Sequence, residues 1–388
     1  MPIAGTKRVA VIVCANGLGH FVRTLHIVSA LLAREPAVHV TIMCADWQRA
    51  WLDGWPAMRP ITVHPRAAFK AVALYPRWST QSAYFDDPEL LTWHHSLAAL
   101  QLDSYDLVVS DNLVETLLYH PRALLVGSFL WHDVYVAHRP DSVVARTYWT
   151  ECTRLLADRA PVMVASRYFA MPAVRRQTRW VGVGVLPPVV RSSRSNRSTD
   201  QRPRRSQLRG RLNVLLVGSD KSPVRPWLQG MLARLGERKA VPPGMQVYVD
   251  ARLVDGAVAP PGATLFQYDS DDFSEIDAVV ARPGMGTISD CLATATPLFS
   301  LAEPNPEMEH NAGVLEALGI GLRLQNPMDA FERIHEFMTD GAARARFDRA
   351  MLEIDTRGLE QAVDAITAEL KRTATYPPAA PIGATVVH

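Results

Sequence analysis

Four clusters of residues in this chain have the types and spacing for chemistry. The first is Gly17-Leu18-Gly19-His20. Glycines there let the backbone turn tightly and approach a ligand. They also set His20 at the start of a helix, where exposed N–H groups and the helix dipole disfavour an imidazolium. A neutral imidazole in that place can act as a general base. Val22 stands where a third glycine of a dinucleotide fingerprint would be, so a nicotinamide cofactor is not indicated. The second cluster is Ser110-Asp111-Asn112. Asp111 can orient a histidine and stabilise its charged form, or it can cap a following helix. The third runs from Asp277 to Asp290 (DAVVARPGMGTISD). Backbone N–H groups of Gly284 to Thr287, with Gly286 between them and the Thr287 hydroxyl beside them, can cradle a diphosphate at a helix N-terminus. Arg282 adds charge, and Asp290 can accept hydrogen bonds from ribose hydroxyls. The GK[ST] of a P-loop is missing, so nucleotide triphosphate hydrolysis is not indicated. The fourth is Pro304 to Ala312 (PNPEMEHNA), with Glu307 and Asn311, either a polar ligand-facing loop after a strand or an acidic helix start.

These clusters need elements to hold them. Lys7–Ala15 (KRVAVIVCA) is apolar on both faces and reads as a buried parallel strand. Residues 20–34 carry apolar side chains near helical spacing. Residues 38–44, 106–110, 123–127, 161–165 and 179–183 are further strands. The alternation predicts a doubly wound α/β domain. The pattern restarts at Leu212–Gly218 (LNVLLVG) and continues through 245–249, 263–266, 277–281, 297–300 and 321–324, with a last helix over 359–371. The division expected is a first domain over 1–186, an Arg/Ser/Pro-rich linker over 187–211, a second domain over 212–365 and a helix end and tail over 366–388. Each phosphate- or proton-handling cluster then follows a strand, at the sheet edge where ligands bind in open α/β folds. Trp47, Trp51 and Trp55 share one face of a helix, either for packing or as an aromatic wall for a ring-bearing ligand.

Composition excludes several classes. The 388 residues are 48% hydrophobic and 21% charged, which excludes a disordered or collagen-like chain. The net charge of +2 hides an uneven distribution. Between Arg191 and Arg211 lie eight arginines and one acid; elsewhere 33 basic residues face 38 acidic ones. That segment reads as a linker, with a polybasic docking element as the alternative; it has no interleaved aromatics for base stacking, and no nucleic-acid partner is expected. The four cysteines form no CxxC pair and no zinc spacing, and no metal site is expected. No run of 18 apolar residues or signal-peptide pattern is present, so a cytoplasmic protein without stable membrane insertion is expected.

Taken together the clusters resemble the GT-B superfamily of nucleotide-sugar glycosyltransferases. Natural-product UDP-glycosyltransferases and the lipid II N-acetylglucosaminyltransferase are the most similar branches. Gly17, Gly19 and His20 look like the turn of the N-terminal, acceptor-binding domain, and Leu265 to Asp290 with Glu307 to Asn311 looks like the donor-binding core. The resemblance implies two Rossmann-like parallel-sheet domains facing a cleft. It implies His20 as general base supported by Asp111. It puts the diphosphate on Gly284, Gly286 and Thr287, with Arg282, Gly218 and Ser219 facing the phosphates. Asp290, where Glu is usual, meets the ribose; Gln267 and Tyr268 meet the nucleobase through their backbone; Glu307, with Asn311 beyond it, reaches donor-sugar hydroxyls. Met308 stands where Gln is usual, which leaves the donor sugar open. The activity implied is inverting, metal-independent transfer from a UDP or dTDP sugar to a hydroxyl of a small-molecule acceptor in natural-product (antibiotic) biosynthesis. No cofactor is implied beyond the nucleotide-sugar co-substrate, and a homodimer is compatible. The stretch Gly17-Leu-Gly-His-Phe-Val-Arg23 also looks like a UDP-sugar hydrolase of the same fold. A non-catalytic nucleotide-sugar-binding protein is the third reading.

Overall fold

The computed structural model describes residues 6–54, 59–74, 87–186, 210–218, 224–235, 241–254, 258–268, 271–301 and 303–375. The Arg-rich segment up to residue 209, Trp55, Ser219 and the tail after 375 lie outside them. Two compact units emerge, Met1–Gly184 with Arg357–His388, and Val185–Thr356.

Unit 1 is built on a seven-stranded parallel sheet of order β3-β2-β1-β4-β5-β6-β7. Its strands are β1 (Lys7–Ile12), β2 (Val38–Cys44), β3 (Ala67–Ala71), β4 (Leu107–Asp111), β5 (Leu124–Val126), β6 (Val162–Ser166) and β7 (Arg179–Val183). Helices α1 (Leu18–Arg34), α2 (Asp46–Asp53), α3 (Arg59–Thr62), α4 (Glu89–Thr92), α5 (Thr116–Tyr119), α6 (Trp131–His138), α7 (Val143–Arg159) and α8 (Pro172–Gln177) connect them. Every residue of β4 and β6 is buried, as a sheet covered on both faces requires. β3 escaped the sequence reading: Ala67, Phe69 and Ala71 alternate with charge and polarity too weakly to declare an edge strand.

Unit 2 carries a six-stranded parallel sheet of order β10-β9-β8-β11-β12-β13. The strands are β8 (Leu212–Leu216), β9 (Met245–Asp250), β10 (Ala263–Phe266), β11 (Ala278–Ala281), β12 (Leu298–Leu301) and β13 (Gly321–Leu324). Its helices are α9 (Arg225–Arg234), α10 (Met285–Ala293), α11 (Pro306–Leu318), α12 (Ala330–Thr339) and α13 (Gly341–Leu352). Val214, Leu216, Val280 and Phe299 form its buried centre.

The last helix, α14 (Gly358–Thr375), departs from the expected division. Read as the end of the second domain, it belongs to unit 1. The reason is apolar burial: Ala362, Val363, Ile366 and Leu370 are covered, with α1 and β4 among the neighbours. Arg34 of α1 pairs with Asp364, and Gln361 Oε1 accepts from the Gly184 N–H at 2.7 Å.

Both sheets reverse their strand order beside the first strand, between β1 and β4 in unit 1 and between β8 and β11 in unit 2. Such switch points open a crevice at the carboxyl ends of the strands. Ile12 lies in register with Ser110, so the β1–α1 loop and Asp111 flank the same crevice. Gly218 and the Arg282–Gly284 turn flank the other.

Candidate functional site

In unit 1, Gly17 has φ +95° and ψ 168°, a conformation that an L side chain rarely adopts. The buried side chain of Gln48 holds this loop. Its Nε2 donates to Cys14 O at 2.9 Å and Gly17 O at 3.4 Å, while its Oε1 accepts from the Ala45 N–H at 3.1 Å. α1 then starts at Leu18, and helical spacing puts His20, Arg23 and Thr24 on one face. That face meets Asp111. His20 Nδ1 lies 3.1 Å from Asp111 Oδ1, Arg23 Nη2 donates to the same oxygen at 2.5 Å, and the Thr24 hydroxyl donates to Oδ2 at 3.3 Å. Phe129 and Trp131 flank the imidazole, with ring centroids at 6.2 and 6.3 Å. Burial pushes the Asp111 carboxyl up, but the Arg23 guanidinium and then His20 outweigh it and hold the group below the ordinary carboxylate range. Asp111 ends β4, and α5 begins only at Thr116, so it caps no helix. An Nδ1–H donated to Asp111 leaves the Nε2 lone pair for a substrate proton.

Four residues on, Glu115 offers a contrast. Its Oε1 accepts from Tyr148 Oη at 2.6 Å and Trp93 Nε1 at 3.1 Å. Among the described residues no cation pairs with it, and burial pushes this carboxyl up.

In unit 2, the third cluster forms the expected strand-to-helix turn, but α10 starts at Met285, earlier than Thr287. The Gly284 N–H is spent on Arg282 O at 2.9 Å. The first-turn amides without an acceptor inside the helix are therefore those of Met285, Gly286 and Thr287, the kind of donors that can hold an anion. Asn311 reaches across from α11 and its Nδ2 donates to Pro283 O at 2.9 Å, fixing the turn. Glu307 lies in the first turn of α11, where the Asn305 side chain accepts its N–H at 2.9 Å. Met308 is buried, which removes it from any polar contact its position could make. Arg282 is half-exposed, with Nη1 3.7 Å from the buried Glu303 carboxylate. Asp290 is buried within α10. The Gln267 N–H is already donated to Asp271 Oδ2 at 2.7 Å, so the backbone there is less free than the sequence suggests. Tyr268 stacks under the Arg252 guanidinium, 4.6 Å from the ring centroid, and Asp250 holds Arg252 through Nη2 at 2.6 Å. Burial and then Asp290 push the Tyr268 phenol well up. Among the described residues no three His, Cys, Asp or Glu side chains are grouped to hold a metal ion, and no helix is long and apolar enough to cross a membrane.

No protein-family model and no curated protein sequence matches the chain. Solved structures do. The glycotransferase of kitacinnamycin superposes with a TM-score of 0.66 at 16% identity, covering 94% of this chain and 99% of that one. The calicheamicin glycosyltransferase CalG4 gives 0.65 at 16% identity, covering 95% and 99%. LpCGTa in complex with UDP gives 0.62 at 14%, covering 94% and 99%. The chain has the GT-B glycosyltransferase fold. Within this GT-B chain, identity so low carries the fold and not the residue roles, which rest on the geometry above. Sequence reading left Arg23, Thr24, Gln48, Asp250, Arg252 and Glu303 without a part in the site. The 20/23/24 spacing was a readable signal for the first two. Gln48, between Trp47 and Trp51, gave none.

Proposed function

We propose that this protein is an inverting glycosyltransferase that moves a sugar from a UDP or dTDP sugar to a hydroxyl of a small-molecule acceptor without a divalent ion. The observation that carries the reading is the pairing of His20 with a buried, cation-held Asp111 at the switch point of unit 1. In this reading the acceptor oxygen attacks the anomeric carbon as its proton passes to His20 Nε2. The bond to the diphosphate oxygen breaks on the opposite face of the sugar, and the α10 amides of Met285 to Thr287 take up the charge of the leaving group. Asp290 and Tyr268 sit beside that turn, where a ribose and base would extend, and Glu307 serves the donor sugar. The natural-product setting draws on the kitacinnamycin and calicheamicin neighbours. The nucleotide choice draws on neighbours complexed with UDP and, from Arabidopsis thaliana, with UDP-L-rhamnose.

The test is a thermal-shift screen of UDP and dTDP sugars followed by transfer assays with and without chelator, reading the anomeric configuration of the product. Retention of configuration, or activity abolished by chelation, would sink the mechanism. The likeness of the Gly17–Arg23 stretch to a UDP-sugar hydrolase of the same fold supports a second reading, hydrolysis of the nucleotide sugar, with water as the nucleophile. It is selected over transfer if free sugar forms at the same rate whether acceptors are present or not.

A further inference from the structure

Asp111 Oδ1 receives two donors from one turn of α1, and the two also touch each other: Arg23 Nη2 lies 3.2 Å from His20 Nδ1. Three atoms thus form a tight triangle. Arg23 can only donate and a carboxylate can only accept, so Nη2 and Nδ1 compete for one oxygen. The two hydrogens of Nη2 diverge too widely to aim at both neighbours in so small a triangle. The 2.5 Å contact to the charged oxygen is the one that holds.

We propose that Arg23 is a positioning residue that sets the pH range in which His20 can act as a base, by locking Asp111 in place while cancelling the charge that would favour an imidazolium. A histidine beside a lone carboxylate gains an attractive charge on protonation. A histidine beside an Arg–Asp pair gains almost none, and here the guanidinium nitrogen is as near to the ring as the carboxylate is. Among the described residues no second carboxylate bonds the imidazole. Cys14, two residues beyond β1, is a buried thiol pushed far up and uncharged. Thr24 offers a hydroxyl, Phe129 a ring, and Trp131 a ring with a neutral indole N–H. The N-terminus of α1 adds partial positive charge. Arg23 itself is only 11% exposed at its side chain, so solvent screens the triangle poorly. The inference rests on the transferase reading for its catalytic meaning, and on geometry alone for the behaviour of the imidazole.

The experiment has two arms. The first is an NMR titration of the His20 imidazole in the full chain, comparing wild type with Arg23→Gln and Arg23→Lys. Arg23→Gln is expected to raise the midpoint by about one pH unit, while Arg23→Lys, which keeps the charge, stays within a few tenths. The second is the pH profile of kcat/KM, whose acid limb should move upward by the same amount in Arg23→Gln, with about tenfold less activity on that limb beyond any pH-independent loss from the freed Asp111. Arg23→Met is the second neutral variant should Arg23→Gln fail to fold. An unmoved midpoint in a folded neutral variant, or a loss of activity equal at every pH, makes Arg23 a mere brace and overturns the proposal. A moved midpoint in a protein that transfers no sugar would uphold Arg23 and defeat the transferase reading instead.

Discussion

The two switch points solve different problems with different materials. In unit 1 the groups at the crevice are side chains, His20, Asp111, Arg23 and Thr24, each bonded to another of the set. In unit 2 the groups proposed to receive the diphosphate are backbone amides, and the side chains around them are braces: Asn311 on Pro283, Asn305 on Glu307, Asp250 on Arg252. Proton transfer needs a titratable atom with a defined partner, so residue identity matters there. Binding a diphosphate needs only N–H groups in a fixed curve, so identity can drift while the turn keeps its shape. Mutations at the two edges should therefore fail in different ways.

The largest separation is expected from His20→Ala. Transfer should fall by about 100- to 10,000-fold while the affinity for UDP, read by calorimetry, stays the same. Equal losses in both would show that the edges are not independent. Asn311→Leu should give the reverse pattern at smaller size. Losing the bond to Pro283 is worth about 1 kcal/mol, so UDP binding should weaken about fivefold to tenfold, with the pH profile unchanged. A shift in that profile would tie the brace to proton chemistry and blur the contrast.

The smallest effect sharpens the meaning of Asp111. Glu115 is equally buried but pairs with no cation among the described residues, and its carboxyl is raised where that of Asp111 is lowered. The folded chain thus holds the Glu115 proton to a higher pH than the unfolded chain does. The stability this confers is full below the unfolded value and is lost as pH rises through the folded one. Glu115→Gln keeps an acceptor for Tyr148 and Trp93 and removes the proton. Relative to wild type its stability should rise as pH climbs above the ordinary carboxylate range, by on the order of 1 kcal/mol, read by denaturant melts at several pH values. A parallel pair of curves would mean that Glu115 is charged in the fold.

Much of this was legible in the residues. Strands flanked by glycine turns announced both sheets, and His20 and Asp111 were drawn together because a parallel sheet brings the ends of its strands to one edge. What stayed hidden depended on contacts distant in sequence. The commitment of the Gly284 amide to Arg282 is a turn detail that composition does not encode. Gln48 finds its partners 31 and 34 residues away. Met308 departs from the polar residue usual at its position, and only the packing of α11 shows it turned into the core.

The placement of α14 carries a consequence for synthesis. Ile366 and Asp111 line the same small cavity, so a wall behind the Asp111 carboxylate is supplied by α14. A nascent chain released up to residue 184 holds every strand of its first sheet, yet the apolar flank of α1 remains bare until residues 357–375 leave the ribosome. The usual order, in which an N-terminal domain finishes first, is inverted here. Unit 2 can complete its core while unit 1 waits, and a chain terminated before residue 357 would present a sticky helix face instead of a finished fold.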